Sequence, residues 1–192
     1  DWFELSGYSG SSRFSVLKVF TTGTSGAVQI VSQDSSDFSN RLSAKGSATI
    51  NTNEWNTILI SGSMTNSNTF KVYVNGSDVT DNTTNYDNEN LEFSKLATQG
   101  DSSGLYIGRQ PLGGNPADGG GAIYYIDNVY TDFSQEANRL KFIDAFNNPT
   151  DIAAKIVSGE IAQPLIYLPF NNRANLGNNL GTIGDFTEVG TL

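Results

Sequence analysis

The 192-residue chain contains no cysteine and no histidine. Those two absences together exclude disulfides, thiolate nucleophiles, zinc fingers, imidazole bases and every histidine-containing triad or metal site. Only oxygen ligands remain, so any metal would be a hard cation such as calcium. No apolar stretch approaches about 18 residues, so no helix spans a bilayer. Basic residues are also scarce: 11 Lys and Arg stand against 20 Asp and Glu, a formal charge of −9. With that sign, and with the cations dispersed, phosphate backbones and anionic lipid are poor partners, so neither nucleic acid nor a membrane is expected. The chain opens on Asp1 rather than Met and shows no signal-peptide pattern, as a processed chain or a piece of a longer one would.

What is present reads as β-structure. Hydrophobic residues make up only 37% of the chain, but 11 Phe, 8 Tyr and 2 Trp compensate, because each ring buries a large area. Gly, Ser, Thr and Asn are abundant, the composition of short strands joined by many turns. A disordered chain would lack the aromatics.

FSVLKVF, residues 14–20, puts apolar side chains on both faces, as a central strand does. It is followed by AVQIVSQ, and the two read as a hairpin. RLSAKGSATI is a weaker strand with a Gly break. TILISGSM follows Trp55, and TFKVYVNGSDV then alternates Phe70, Val72 and Val74 against Lys71, Tyr73 and Asn75, a half-buried strand. Trp55, Phe70, Val72 and Val74 are its expected core. Asn75-Gly76 closes it with the pair that tolerates the positive φ angles of a tight hairpin turn. LEFSKL, GLYIGRQ and GAIYYIDNVYTDF are further strands, the last with a bulge at Asp127-Asn128 or with both faces covered.

One helix is predicted near residues 134–146, with Asp132 and Gln135 as a capping box and Ala137, Leu140, Ile143 and Phe146 as its buried stripe. DIAAKIVSG reads as a second short helical piece ending at Gly159. Residues 147–192 return to strand and turn character. Their apolar content predicts an extension that closes a sheet edge or docks on a neighbouring subunit. No repeat or linker divides the chain, so residues 1–192 form one domain.

Three patches in order, Trp55 before TILISGSM, then KVYVNGSDV, then LYIGRQ with GAIYYIDNVYTDFS, resemble the concanavalin-A-like and laminin-G-like jelly rolls. The resemblance covers residues 14–134 and implies an all-β, two-sheet antiparallel jelly-roll sandwich. The tail, RLKFIDAFNNPTDI followed by PLIYLPFNN and GDFTEVG, is similar to the end of jelly-roll proteins among bacteriophage structural components. That similarity implies a virion or extracellular setting. Glucanases of the concanavalin type carry a Glu-x-Asp-x-x-Glu strand. The nearest segment here, Tyr125 to Tyr130, offers Asp127 alone, and retaining hydrolysis needs two suitably spaced carboxyls, so no enzyme is expected.

Two clusters remain as candidate sites. Asp81, Asp87, Asn88 and Glu89, in the loop DNTTNYDNE, are the oxygen ligands calcium requires, although a solvated acidic loop explains them more simply. Tyr106, Tyr124 and Tyr130 could stack against sugar rings, and core or cross-strand packing accounts for the same residues. The sequence therefore predicts a non-catalytic virion structural or recognition module, a capsid decoration, tail or fibre component, in contact with other virion subunits or cell-surface glycan. The alternative is a carbohydrate-binding, lectin-like module of a secreted bacterial protein.

Overall fold

A computed structural model describes residues 54–62, 71–80, 129–169 and 177–185 in full. It also gives the strand backbone at 3–9, 12–22, 27–33, 40–49, 63, 66–70, 81, 104–107 and 124–126. All pairings among these strands are antiparallel. Strands β1 (Phe3–Ser9), β2 (Ser12–Thr22), β3 (Ala27–Gln33) and β4 (Asn40–Thr49) form a meander. Its outer edges are closed by β8 (Thr80–Asp81) beside β4 and β9 (Gly104–Ile107) beside β1. The β2–β3 hairpin forms as the alternation suggested, with Lys18 opposite Val31 and Thr22 opposite Ala27. Strand β1 has no counterpart in the sequence reading.

A second sheet holds β5 (Ile58–Ser63), β6 (Asn66–Val74) and β7 (Ser77–Asp78). The β6–β7 turn is Asn75-Gly76, with φ of 49° and 77° at its two central residues and Val74 opposite Ser77. Positive φ at both positions is what a two-residue type I′ turn demands. A Cβ at Gly76 would also meet the end of the Asn147 side chain, which would have to shift aside. A single residue, buried Val79, separates β7 from β8, so the chain steps here from the three-stranded sheet to the six-stranded one.

Strand β6 is not half-buried as its alternation suggested. Val72, Tyr73 and Val74 are all buried, at 0%, 5% and 5% exposure. The Tyr73 face is covered by the C-terminal part of the chain, where Tyr73 packs with Phe133, Phe142, Ile152, Ile161 and Tyr167. Phe133 and Phe142 meet edge to face at 5.5 Å. Each large apolar side chain buried there is worth about 1.5–3 kcal/mol, so this cluster contributes much of the stability of the second sheet. A polar margin seals it. The Arg139 guanidinium lies 4.5 Å over the Tyr73 ring and donates to the carbonyls of Phe133 and Ser134, while the Tyr73 hydroxyl donates to Asp78. Trp55 was expected in the core and is instead 78% exposed, because it precedes β5 rather than lying within it. The side chain of Phe70 lies outside the described residues.

The helix predicted at 134–146 is a single turn, α1 (Glu136–Arg139). Asp132 accepts from the Ser134 N–H at 2.9 Å, and Gln135, at the N-cap, makes no side-chain cap bond. Downstream, Asp144 accepts from the N–H groups of Phe146 and Asn148, Asn147 takes φ of 65°, and the Thr150 N–H returns to the Phe142 carbonyl. These bonds fold 142–150 into a tight reverse turn in place of helix. The predicted stripe fails with it: Ile143 is buried, whereas Ala137, Leu140 and Phe146 are exposed. The shorter piece does form, as α2 (Ile152–Val157). Asp151 caps it by accepting from Ala154 N–H at 2.9 Å, and Gly159 beyond its end has φ of 76°.

Beyond α2, β11 (Ile166–Leu168) pairs with β10 (Tyr124–Ile126), and all three β11 residues are buried. Its free edge is covered by residues 179–183. The Asn179 carboxamide oxygen accepts from Tyr167 and Gly181 N–H, and its nitrogen donates to the Leu165 and Gly184 carbonyls. Gly181 passes so close to the Leu165 carbonyl that a Cβ would not fit. The GDFTEVG segment beyond Asp185 lies outside the described residues.

Candidate functional site

Tyr130 is the one predicted site residue whose side chain is described, and it borders an open cleft of about 420 Å³. Val129, Tyr130 and Asp132 form one wall. Asn138 and Lys141, from α1 and the turn after it, form another, and Glu160 and Ile161 complete the rim. The sequence builds this cleft by ending α1 early. The chain turns back at 142–150, and α2 then delivers Glu160 and Ile161 opposite Tyr130. Phe142 and Ile161 also belong to the packed core, so the cleft floor is fixed by the interior.

Tyr130 is 48% exposed and Val129 59%. Partial burial raises the Tyr130 phenol above its ordinary pKa, helped by the charge of Asp132 and a hydrogen bond to it. Asp132 is held below the usual carboxylate range, first by its hydrogen bond to the Ser134 side chain and then by the Ser134 backbone N–H. Glu160 is paired with Lys155 at 3.2 Å, and the same ammonium donates to the Leu140 carbonyl at 3.0 Å, lashing α2 to the end of α1. The cleft thus offers one half-exposed aromatic ring, a carboxamide, two carboxylates and an ammonium around an apolar floor. A general acid would need a carboxyl whose pKa is raised. Asp132 is shifted the other way.

For three of the other predicted site residues the backbone alone is described. Tyr106 stands in β9 opposite Glu4, and Tyr124 in β10 opposite Leu168. Asp81 stands in β8 opposite Lys45, in a strand rather than in the loop that follows. Asp87, Asn88, Glu89 and Asp127 lie outside the described residues, and so does LEFSKL. Among the described residues no three acidic side chains cluster as a metal site would require, and no helix is long and apolar enough to cross a membrane.

A second exposed feature was not anticipated. Trp55 and Phe146 are 78% and 84% exposed, and a hydrogen bond between Thr57 and Asn147 ties together the segments that carry them. Thr57 joins them: its hydroxyl donates to the Asn147 carbonyl at 2.7 Å and its N–H to the Asn75 carboxamide oxygen at 2.9 Å. The one available signal was negative: Trp55 lies in NTNEWNT, a polar stretch that offers no strand alternation. No family model, curated protein or solved structure matches the chain.

Proposed function

We propose that this chain is a non-catalytic structural or recognition module of a virion, built on a jelly-roll scaffold and acting by surface contact with neighbouring subunits. The observation that carries the reading is the exposure of Trp55 and Phe146 on segments that hydrogen bonds tie together. Large aromatic rings left in water on a rigid support are the groups that anchor protein interfaces, because little conformational entropy is lost when they are covered. Support also comes from the order of the Trp-strand, YVNG and IDNV motifs and from the phage-like tail. The chain would work outside the cell, where its lack of cysteine removes any dependence on redox state. Sedimentation velocity tests the assembly: a regular multimer is expected, and a monomer at every concentration would contradict it.

The cleft at Tyr130 favours a second reading, a lectin-like module. A pyranose presents an apolar face to a ring and hydroxyls to the carboxamide, carboxylates and ammonium around it. On this reading the parent chain binds on a glycan array and Tyr130→Ala does not. An array on which the parent binds nothing disposes of it.

A further inference from the structure

The Asn75-Gly76 turn is the only Asn-Gly pair in the chain. In such a pair the backbone nitrogen that follows the carboxamide is unshielded, because glycine has no side chain. We propose that Asn75 is a modification site, a self-deamidating residue whose rate is gated by the docking of residues 54–57 and of the 144–149 turn on the β6–β7 hairpin.

The chemistry needs only water and hydroxide. The Gly76 nitrogen loses its proton and attacks the Asn75 side-chain carbonyl carbon. The new N–C bond forms as the bond from that carbon to Nδ2 breaks, and ammonia leaves. Water then opens the resulting succinimide at either carbonyl, giving aspartate or isoaspartate. Nothing is oxidised or reduced, and the chain gains one negative charge.

The structure supplies the gate. The Asn75 oxygen is held by the Thr57 N–H at 2.9 Å, and its nitrogen donates to the Asn56 carboxamide oxygen at 3.1 Å. The Asn75 N–H returns to the Thr57 carbonyl at 2.9 Å, so backbone and side chain are both fixed to the segment before β5. Thr57 is in turn held by the Asn147 carbonyl, and the Asn147 carboxamide stands where a side chain at position 76 would begin. The two bonds from Thr57 and to Asn56 together restrain rotation of the Asn75 carboxamide, and that restraint is the proposed gate. Loosening the turn at 144–149 releases Thr57 and opens the gate.

The product changes the fold locally. Isoaspartate adds a methylene to the main chain inside a two-residue turn whose register sets Val74 opposite Ser77. Aspartate would put an oxygen where Nδ2 now faces the Asn56 oxygen. Either product loosens the sheet end that carries Trp55, so the modification ages that surface irreversibly.

Peptide-mapping mass spectrometry tests the idea on the full chain in mildly alkaline buffer, natively folded and in urea. Deamidation at Asn75 should be at least about tenfold slower in the folded protein, a ratio equal to about 1.4 kcal/mol of gating. Asn56→Ala and Thr57→Val should each accelerate it several-fold in the folded state and leave the rate in urea unchanged. Equal rates for folded and unfolded parent would overturn the proposal. So would gated parent chains whose Asn56→Ala and Thr57→Val variants, folded by circular dichroism, react no faster.

Discussion

Asn179→Ala is the substitution whose cost the structure defines best. Its carboxamide is buried, and it serves four backbone groups: it accepts from Tyr167 N–H at 2.8 Å and Gly181 N–H at 3.0 Å, and donates to Leu165 O at 3.2 Å and Gly184 O at 2.9 Å. The four are not equal. Leu165 O also accepts from the N–H groups of Thr182 and Ile183, so it keeps partners. Tyr167 N–H faces away from β10 inside a buried strand, and alanine leaves it with nothing. An orphaned buried donor costs about 1–3 kcal/mol, and the two other bonds lost without replacement, to Gly181 and Gly184, about 1 kcal/mol each, for a sum of about 3–5 kcal/mol. In a chain of this length each kcal/mol lowers the melting temperature by about 2–4 °C, so a fall on the order of 10 °C is expected. Differential scanning fluorimetry and urea unfolding by circular dichroism measure it, with the exposed Leu180→Ser as control. Asn179→Asp should be at least as damaging at neutral pH, because a carboxylate oxygen then faces two carbonyls. Its folded pKa would be raised, so the loss relative to the parent shrinks as pH falls and the acid regains a proton to donate. A parent-like melting temperature for Asn179→Ala would refute the reasoning, for β11 would not then depend on the 179–183 segment.

Three further outcomes follow from the same structure. Val72 is fully buried, so Val72→Asp places an unpaired charge in the core and should yield no soluble folded protein. Acid should destabilise the chain through Asp78, Asp132 and Asp144. Burial tends to raise Asp78, but its bonds from the Thr80 hydroxyl and N–H outweigh that, and Asp144 is lowered chiefly by the Asn148 N–H. A depressed folded pKa gives stability that is present above the unfolded value and lost below it. The melting temperature should therefore drop as pH falls through about 3.9 and below, with a smaller drop for Asp144→Asn. Deleting residues 160–192 removes Ile161 and Tyr167 from the Tyr73 cluster and should leave an aggregating or unfolded chain by circular dichroism; a folded truncation would contradict that dependence.

Local chemistry was legible in the sequence, and long-range packing was not. The β2–β3 hairpin, the Asn75-Gly76 turn and the Asp151-to-Gly159 helix follow from alternation, φ tolerance and capping, all of which act within a few residues. Tyr73 was misread because alternation with Lys71 and Asn75 marks its face as polar. Only the return of residues 133–167, with Arg139 across the ring, buries it. Trp55 was misread the other way: its place before the strand was read correctly, but size and hydrophobicity were taken to mean burial, and the residue is exposed. The helix at 134–146 had the right spacing of apolar residues, but Asp144 and Asn147 favour a turn that the spacing cannot reveal. Of the cleft, Tyr130 alone was named. Asn138 and Lys141 stand before that turn and Glu160 after it, so no local motif could have grouped them. Asn179 lies in the Asn- and Gly-rich tail, where nothing local sets it apart from its neighbours.

Contact between subunits through exposed aromatic rings is the centre of this account, and sedimentation velocity on the parent and on a Trp55→Ser, Phe146→Ser double variant tests it most directly. Both side chains are mainly in water, so the variant should fold and melt like the parent. The account predicts a regular multimer for the parent and a folded monomer for the variant. A parent that sediments as a monomer throughout, or a variant that assembles as the parent does, would contradict it.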